Sequence, residues 1–333
     1  MNTLLAWDAA IVAWIQGLGQ WLVGAMKFFS FLGTEEFFLL IAPALVWCVD
    51  VALGIRIGLI LLFSDATNSV LKLAFGSPRP FWISDKVTAL SYESSFGLPS
   101  GHAQTAMAVW GRLAAGLKRR WAIIVFGLLI FLISLSRLYL GVHFLTDVLG
   151  GWLVGGLLLW LFLRYEERVA RWMQARSLTA QIAVVFLLSI LILVLGTGIA
   201  FLRPAVPEAW INQAAAAAPG EEPINPLNID GVVASAGALF GLATGAILLA
   251  RWPKFNAGGV WWKRVLRYLV GVAGVALLYF GLKFVLPSGT VVNVGLQHAL
   301  PSADQGWRYL RYALVGFWVT YLGPRAFVAM RLA

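Results

Sequence analysis

An all-α protein threaded repeatedly through a membrane is the fold this sequence predicts, and three features predict it. Of 333 residues, 60% are hydrophobic and 12% charged, with a mean hydropathy of +0.83. Soluble domains are nearer half apolar and about a quarter charged. The apolar residues number about 200, enough for roughly eight or nine crossings of about 20 residues each. The Lys and Arg residues, finally, gather in alternate loops. These features exclude a water-soluble globule, a disordered chain and a disulfide scaffold. The single cysteine, Cys48, excludes an internal disulfide or a cysteine-rich metal site.

Residues 1–33 are apolar but interrupted by Asp8, Gln16 and Gln20. They lack the basic leader and cleavage site of a secretory signal, and read as an interfacial helix or a tilted span. Thr34-Glu35-Glu36 reads as a helix start, a capping hydroxyl followed by acids in the first turn. Nine stronger apolar segments follow, at roughly 37–49, 53–73, 103–117, 121–135, 142–163, 180–202, 231–250, 265–286 and 310–329.

One set of loops carries Lys118-Arg119-Arg120, then Arg164, Arg168, Arg171 and Arg176, then Arg251, Lys254, Lys263, Arg264 and Arg267, with Arg56, Arg325 and Arg331 on the same side. The opposite loops are long and poor in base: 76–100 holds Arg79 and Lys86, 203–230 holds Arg203, and 287–307 holds neither Lys nor Arg. Basic loops face the cytoplasm. The net charge of +10 is therefore read as an orientation signal and not as a nucleic-acid footprint. The loop at 203–230, with its alanine run and Pro219-Gly220, reads as a divider between the front and back of the chain, and the domains are read as a core, 34–176, and a C-terminal extension, 177–333.

Polar groups in or beside a span are costly and by default mark function. Three clusters stand out, all on the extracytoplasmic side of this topology. In the first, Asp65, Asn68 and Lys72 share a helical face and Arg79-Pro80 follows; Lys72 and Arg79 either bind an anion or reach for headgroups. The second is Pro99-Ser100-Gly101-His102 ahead of an apolar run. Ser100 caps a helix whose first amides form an anion site, with His102 in its first turn; a plain cap with an interfacial histidine is the alternative. The third, Ser136-Arg137 with His143 and Asp147, puts a carboxylate four residues from an imidazole on one helical face and adds a planar guanidinium suited to phosphate; a buried structural pair is the alternative.

Together the clusters hold what phosphoryl transfer without a metal needs. Lys72, Arg79 and Arg137, with the Ser100 and Gly101 amides, can surround the three equatorial oxygens of the transition state. His143 can attack phosphorus and His102 can protonate the leaving oxygen. This division of labour requires one histidine neutral and the other charged.

The three clusters resemble the signature motifs of the type 2 phosphatidic acid phosphatase (PAP2) superfamily, K-x6-R-P, P-S-G-H and S-R-x5-H-x3-D. Every position matches in order and spacing, over roughly residues 34–165. The resemblance implies a helical membrane bundle in which His143 is the nucleophile and forms a phosphohistidine. It makes Asp147 the residue that orients it, and His102 the acid and then the base. It assigns phosphate binding to Lys72, Arg79, Ser100, Gly101 and Arg137, and implies no cofactor or metal. The superfamily includes membrane lipid phosphatases, glucose-6-phosphatase and soluble vanadium haloperoxidases; the hydrophobicity here argues against the last.

The expected protein is a membrane phosphatase acting on a lipid phosphate or diphosphate at the extracytoplasmic face, most simply in a bacterial inner membrane. Alternatives are a sugar-phosphate phosphatase, a lipid-to-acceptor phosphotransferase and a lipid transporter. The extension has no motif of its own; Lys283, His298, Arg308 and Arg311 are its polar oddities. They serve either packing and snorkelling or a second wall for the substrate.

Overall fold

The computed structural model describes residues 3–285 and 303–333, so His298 and Pro287-Ser288-Gly289 lie outside the described residues. Every regular element among those described is a helix. In chain order these are α1 (Thr3–Gln16), α2 (Val23–Phe31), α3 (Glu35–Cys48), α4 (Val51–Phe75), α5 (Pro80–Ile83), α6 (Gly101–Leu117), α7 (Arg120–Tyr139) and α8 (Leu145–Gln174). There follow α9 (Leu178–Leu202), α10 (Glu208–Ala217), α11 (Asp230–Ala250), α12 (Trp261–Ala276), α13 (Leu282–Val285), α14 (Ala303–Phe317) and α15 (Gly323–Ala329). Single π-helical turns join α12 to α13 and α14 to α15.

Six helical stretches among the described residues are long and apolar enough to cross a membrane. They include α4 with α5, α7, α8, α9, α11 and α12. The other three expected segments are helical too. Residues 37–49 fall largely in α3, which has 14 residues, and 103–117 in α6, which has 17. Residues 310–329 run through α14 and α15 with a π-helical turn between them. At 1.5 Å per residue, α3 and α6 are shorter than a typical hydrocarbon core. The N-terminal segment is one bent pair, with α1 and the stretch Gln20–Phe31 set at 83°.

The helix starts follow the sequence. Thr34 accepts from the Phe37 amide at 3.2 Å, as a cap ahead of Glu35 and Glu36 should. Pro80 opens α5, where its missing N–H costs nothing. Among the described residues, the exposed faces of α8 and α9 are lined with leucine, valine and aromatic residues, the surface a lipid chain accepts.

The chain forms two compact units. One comprises Met1–Phe37, Thr67–Leu163 and Ile199–Asn228, and contains all eight predicted site residues. Its α6 and α8 pack closely: a Cβ at Gly151 would press on the Ser100 carbonyl. The other comprises Phe38–Ala66, Arg164–Gly198 and Ile229–Ala333. There the buried Trp47 donates to the Val319 carbonyl at 2.8 Å, the Ser235 hydroxyl meets the Asp65 carboxylate, and Arg308 pairs with Asp230 at 2.8 Å. Arg311 is buried between the rings of Tyr279 and Tyr312.

Candidate active site

The site is built around the turn from α7 to α8. Gly141 sits at φ 76°, and a Cβ there would run into the Thr88 carbonyl. Only glycine adopts that backbone without strain. The turn delivers His143 two residues before α8 begins. His143 and Asp147 therefore meet across a helix start, not along one helical face as their spacing suggested. Asp147 Oδ2 accepts from the Phe144 amide at 2.9 Å and lies 3.2 Å from His143 Nδ1.

The other ring nitrogen fixes the tautomer. Arg79 Nη1 lies 3.2 Å from His143 Nε2. A guanidinium can only donate, so Nε2 carries a lone pair and Nδ1–H donates to Asp147. That is the form a nucleophilic imidazole needs. Burial, then the charges of Arg79, Arg137 and Lys72, hold the His143 pKa well below the ordinary histidine value.

The cations surround this imidazole, but the chain already engages them. Arg79 is fully buried, and its N–H groups meet five acceptors: Ser95 O at 2.6 Å, Val142 O at 2.8 Å, His143 Nε2, Ser95 Oγ at 3.0 Å and Phe96 O at 3.2 Å. Lys72 Nζ donates to the same Ser95 hydroxyl at 2.9 Å. Arg137 donates through Nη1 to Ser30 Oγ and through Nη2 to Glu93 Oε1, each at 2.5 Å. Its Nε–H is enclosed and has no partner among the described residues.

The start of α6 forms the facing wall. The Ser100 hydroxyl accepts from the Ala103 amide at 3.5 Å, the predicted cap. The Ser100 amide donates to the Asp147 carbonyl at 2.9 Å and is thus committed, which changes the expected set of phosphate donors. The first-turn amides of Gly101 and His102 have no intrahelical carbonyl within reach. Asn68 supports the wall by donating to Pro99 O at 3.1 Å and Gln104 Oε1 at 2.9 Å. His102 Nε2 is enclosed and unpartnered among the described residues. Burial and the Arg137 charge outweigh the attraction of Glu93 and hold the His102 pKa well below the ordinary value. Both imidazoles thus favour the neutral form before a ligand arrives, whereas the chemistry read from the sequence requires one of them charged.

Sequence reasoning missed Glu93, Ser95 and Ser30. Glu93 spans the two arginines, 2.5 Å from Arg137 and 3.6 Å from Arg79. Burial would raise its pKa, but Arg79, Arg137 and Lys72 outweigh it and hold the carboxyl well below the usual range. The available signal was an acid within a long, base-poor loop that runs between two motifs. Ser30 gave no signal, because it belongs to a helix 107 residues away in sequence from Arg137.

These features define the class, an all-helical integral membrane protein with a buried cluster of cations and histidines in one of its units. Two family models match the chain, the PAP2 superfamily over residues 53–171 and the PAP2 superfamily phosphatase transmembrane extension over residues 233–333. It is 36% identical to phosphatidylglycerophosphatase B of Bacillus subtilis over 130 residues, 35% of this chain and 62% of that protein. It is 32% identical to lipid A 4'-phosphatase of Bacteroides thetaiotaomicron over 123 residues, 35% of this chain and 55% of that protein. A crystal structure of a transmembrane PAP2-type phosphatidylglycerolphosphate phosphatase from Bacillus subtilis is 31% identical, covers 51% of this chain and 89% of that one, and aligns with a TM-score of 0.44. The chain spans less than two thirds of the length of these two curated relatives. It belongs to the PAP2 superfamily.

Proposed function

We propose that this protein is a metal-independent phosphatase that hydrolyses a lipid phosphate or diphosphate through a phosphohistidine at the extracytoplasmic face. The observation that carries the reading is the pair of contacts at His143, Nδ1 at 3.2 Å from Asp147 Oδ2 and Nε2 at 3.2 Å from Arg79 Nη1, which together assign the lone pair to Nε2. Nε2 attacks phosphorus, the bond to the leaving oxygen breaks, and a protonated His102 gives its Nε2 proton to the departing alcohol or phosphorylated lipid. Water then attacks the phosphohistidine, His102 takes the water's proton, and phosphate leaves.

Phosphate entry requires an exchange of partners. An incoming phosphate oxygen replaces Ser95 Oγ on Lys72 and takes up Arg137 Nε. It also draws an Arg79 N–H away from His143 Nε2, which frees the nucleophile as the substrate arrives. A dianion beside His102 raises its pKa toward the charged form it needs.

A lipid substrate is supported by the membrane spans and by relatives named as lipid phosphatases. In the unit that holds the site residues, a cavity of about 470 Å³ lined mainly by Leu5, Pro78, Trp82, Ile83 and Trp210 offers apolar walls to a lipid chain. Orientation rests on the basic loops. The division into a catalytic core, 34–176, and an extension, 177–333, is part of the same proposal.

The test is phosphate release by purified protein in detergent, comparing isoprenyl diphosphates, glycerolipid phosphates, sphingoid phosphates and glucose 6-phosphate. A lipid is expected to be the best substrate, with turnover unchanged by EDTA. His143→Ala is expected to lose more than about a thousandfold. Near-parental release by that variant, or full loss in EDTA restored by Mg²⁺ or Zn²⁺, overturns the mechanism; preference for glucose 6-phosphate overturns the lipid assignment.

A further inference from the structure

The N-terminal helices α1 and α2 lie outside both family models, and the sequence shows no motif in them. Yet three of their polar side chains reach the elements that carry the site. Asp8, fully buried, accepts from the Leu145 amide at 2.8 Å, the Thr146 amide at 3.1 Å and the Thr146 hydroxyl at 2.6 Å. Those amides belong to the first turn of α8, which otherwise lacks partners for them. Asp8 thus caps, from a distant helix, the helix that presents Asp147 to His143.

Gln16 bridges two more parts. Its amide donates to Thr88 O at 2.8 Å and Tyr139 O at 3.0 Å, and its Oε1 accepts from the Thr88 amide at 3.0 Å. Tyr139 ends the helix of Arg137, and Thr88 lies on the loop that leads to Glu93. Ser30 occupies Arg137 Nη1 at 2.5 Å while Glu93 occupies Nη2. With each Nη engaged, Nε is the guanidinium nitrogen that has no partner among the described residues. Gly33 completes the contact, since a Cβ there would press on the His102 ring at 3.1 Å.

We propose that residues 3–33 are a working part of the active site, in which Asp8 and Ser30 are positioning residues for the phosphoryl-transfer reaction. Asp8 sets the Asp147–His143 pair through the start of α8. Ser30 sets which N–H of Arg137 faces the phosphate. The inference rests on the phosphatase reading above and adds to it a segment that neither family model covers.

The two residues act on different partners, so their loss has different signatures. In the full-length protein, Asp8→Asn halves the acceptor capacity at α8 and misaligns the nucleophile. It is expected to lower kcat on the order of tenfold to a hundredfold with KM within twofold of the parental protein. Ser30→Ala frees Nη1 and lets the guanidinium rotate. It is expected to raise KM and the Kd for orthovanadate on the order of tenfold, with kcat changed less. Vanadate binding is read by thermal shift, which needs no turnover. All values are taken on the monodisperse fraction from size-exclusion chromatography, so a purely structural defect lowers yield without splitting kcat from KM.

Folded variants with parental kcat, KM and vanadate affinity overturn this inference and leave the phosphatase reading standing. So does a loss of the same pattern in both variants. A parental protein that neither releases phosphate nor binds vanadate overturns both.

Discussion

At the scale of single residues, the site's cations are engaged by the chain itself, and they outnumber the carboxylate they share. Glu93 and the Ser95 hydroxyl occupy Arg137, Arg79 and Lys72 in the way phosphate oxygens would. A buried cation cluster without such partners repels itself and is costly to keep desolvated. On the proposed reading Glu93 competes with the phosphate of a substrate, while it supports the packing of the cations. Glu93→Gln is expected to lower KM for a phosphate ester several-fold. Because Glu93 also favours the charged form of His102, its loss depresses the His102 pKa further. The descending limb of kcat/KM is then expected to move to more acidic pH, which a pH–rate comparison of the two proteins checks. For the parental protein, both imidazoles start with depressed pKa values. The limb in kcat/KM reports the free enzyme and the limb in kcat reports the complex. Since a bound dianion raises the His102 pKa, the falling limb of kcat is expected at higher pH than that of kcat/KM. Coincident limbs would show that substrate charge does not load the acid.

At the scale of elements, the active groups ride on helix starts and the turns that feed them. Ser100 opens α6, Asp147 lies in the first turn of α8, and Gly141 makes the bend between α7 and α8 possible. Gly141→Ala strains a left-handed residue, at about 1–3 kcal/mol, and drives a methyl toward the Thr88 carbonyl. A lower Tm is expected together with reduced kcat, since the same turn aims His143; a variant with parental Tm and kcat would show that the turn tolerates a side chain. Much of this was legible beforehand. The cap at Ser100, the acid-rich start after Thr34, the apolar spans and the motif residues all follow from local chemistry at short spacing. The engagement of the arginines was not legible, because Ser30, Glu93 and Ser95 join them through contacts that sequence spacing does not encode. The helical pairing of His143 with Asp147 was misread for the same reason: a spacing of four is also the span of a capped turn.

At the scale of the whole molecule, the basic loops predict one orientation. With Cys48→Ser as background, Glu221→Cys is expected to react with a membrane-impermeant maleimide applied to intact cells, and Arg171→Cys only after permeabilisation. The reverse pattern would place the site on the cytoplasmic face. The bonds of Asp8 carry a different implication, for the order of assembly. The carboxylate and the Leu145 amide it receives are separated by 137 residues. Thr88, a partner of Gln16, is synthesised well before Leu145 and Thr146, the partners of Asp8. The C-terminal end of α1 therefore gains its first partner early in synthesis, and Asp8 gains its own only once the start of α8 has been made.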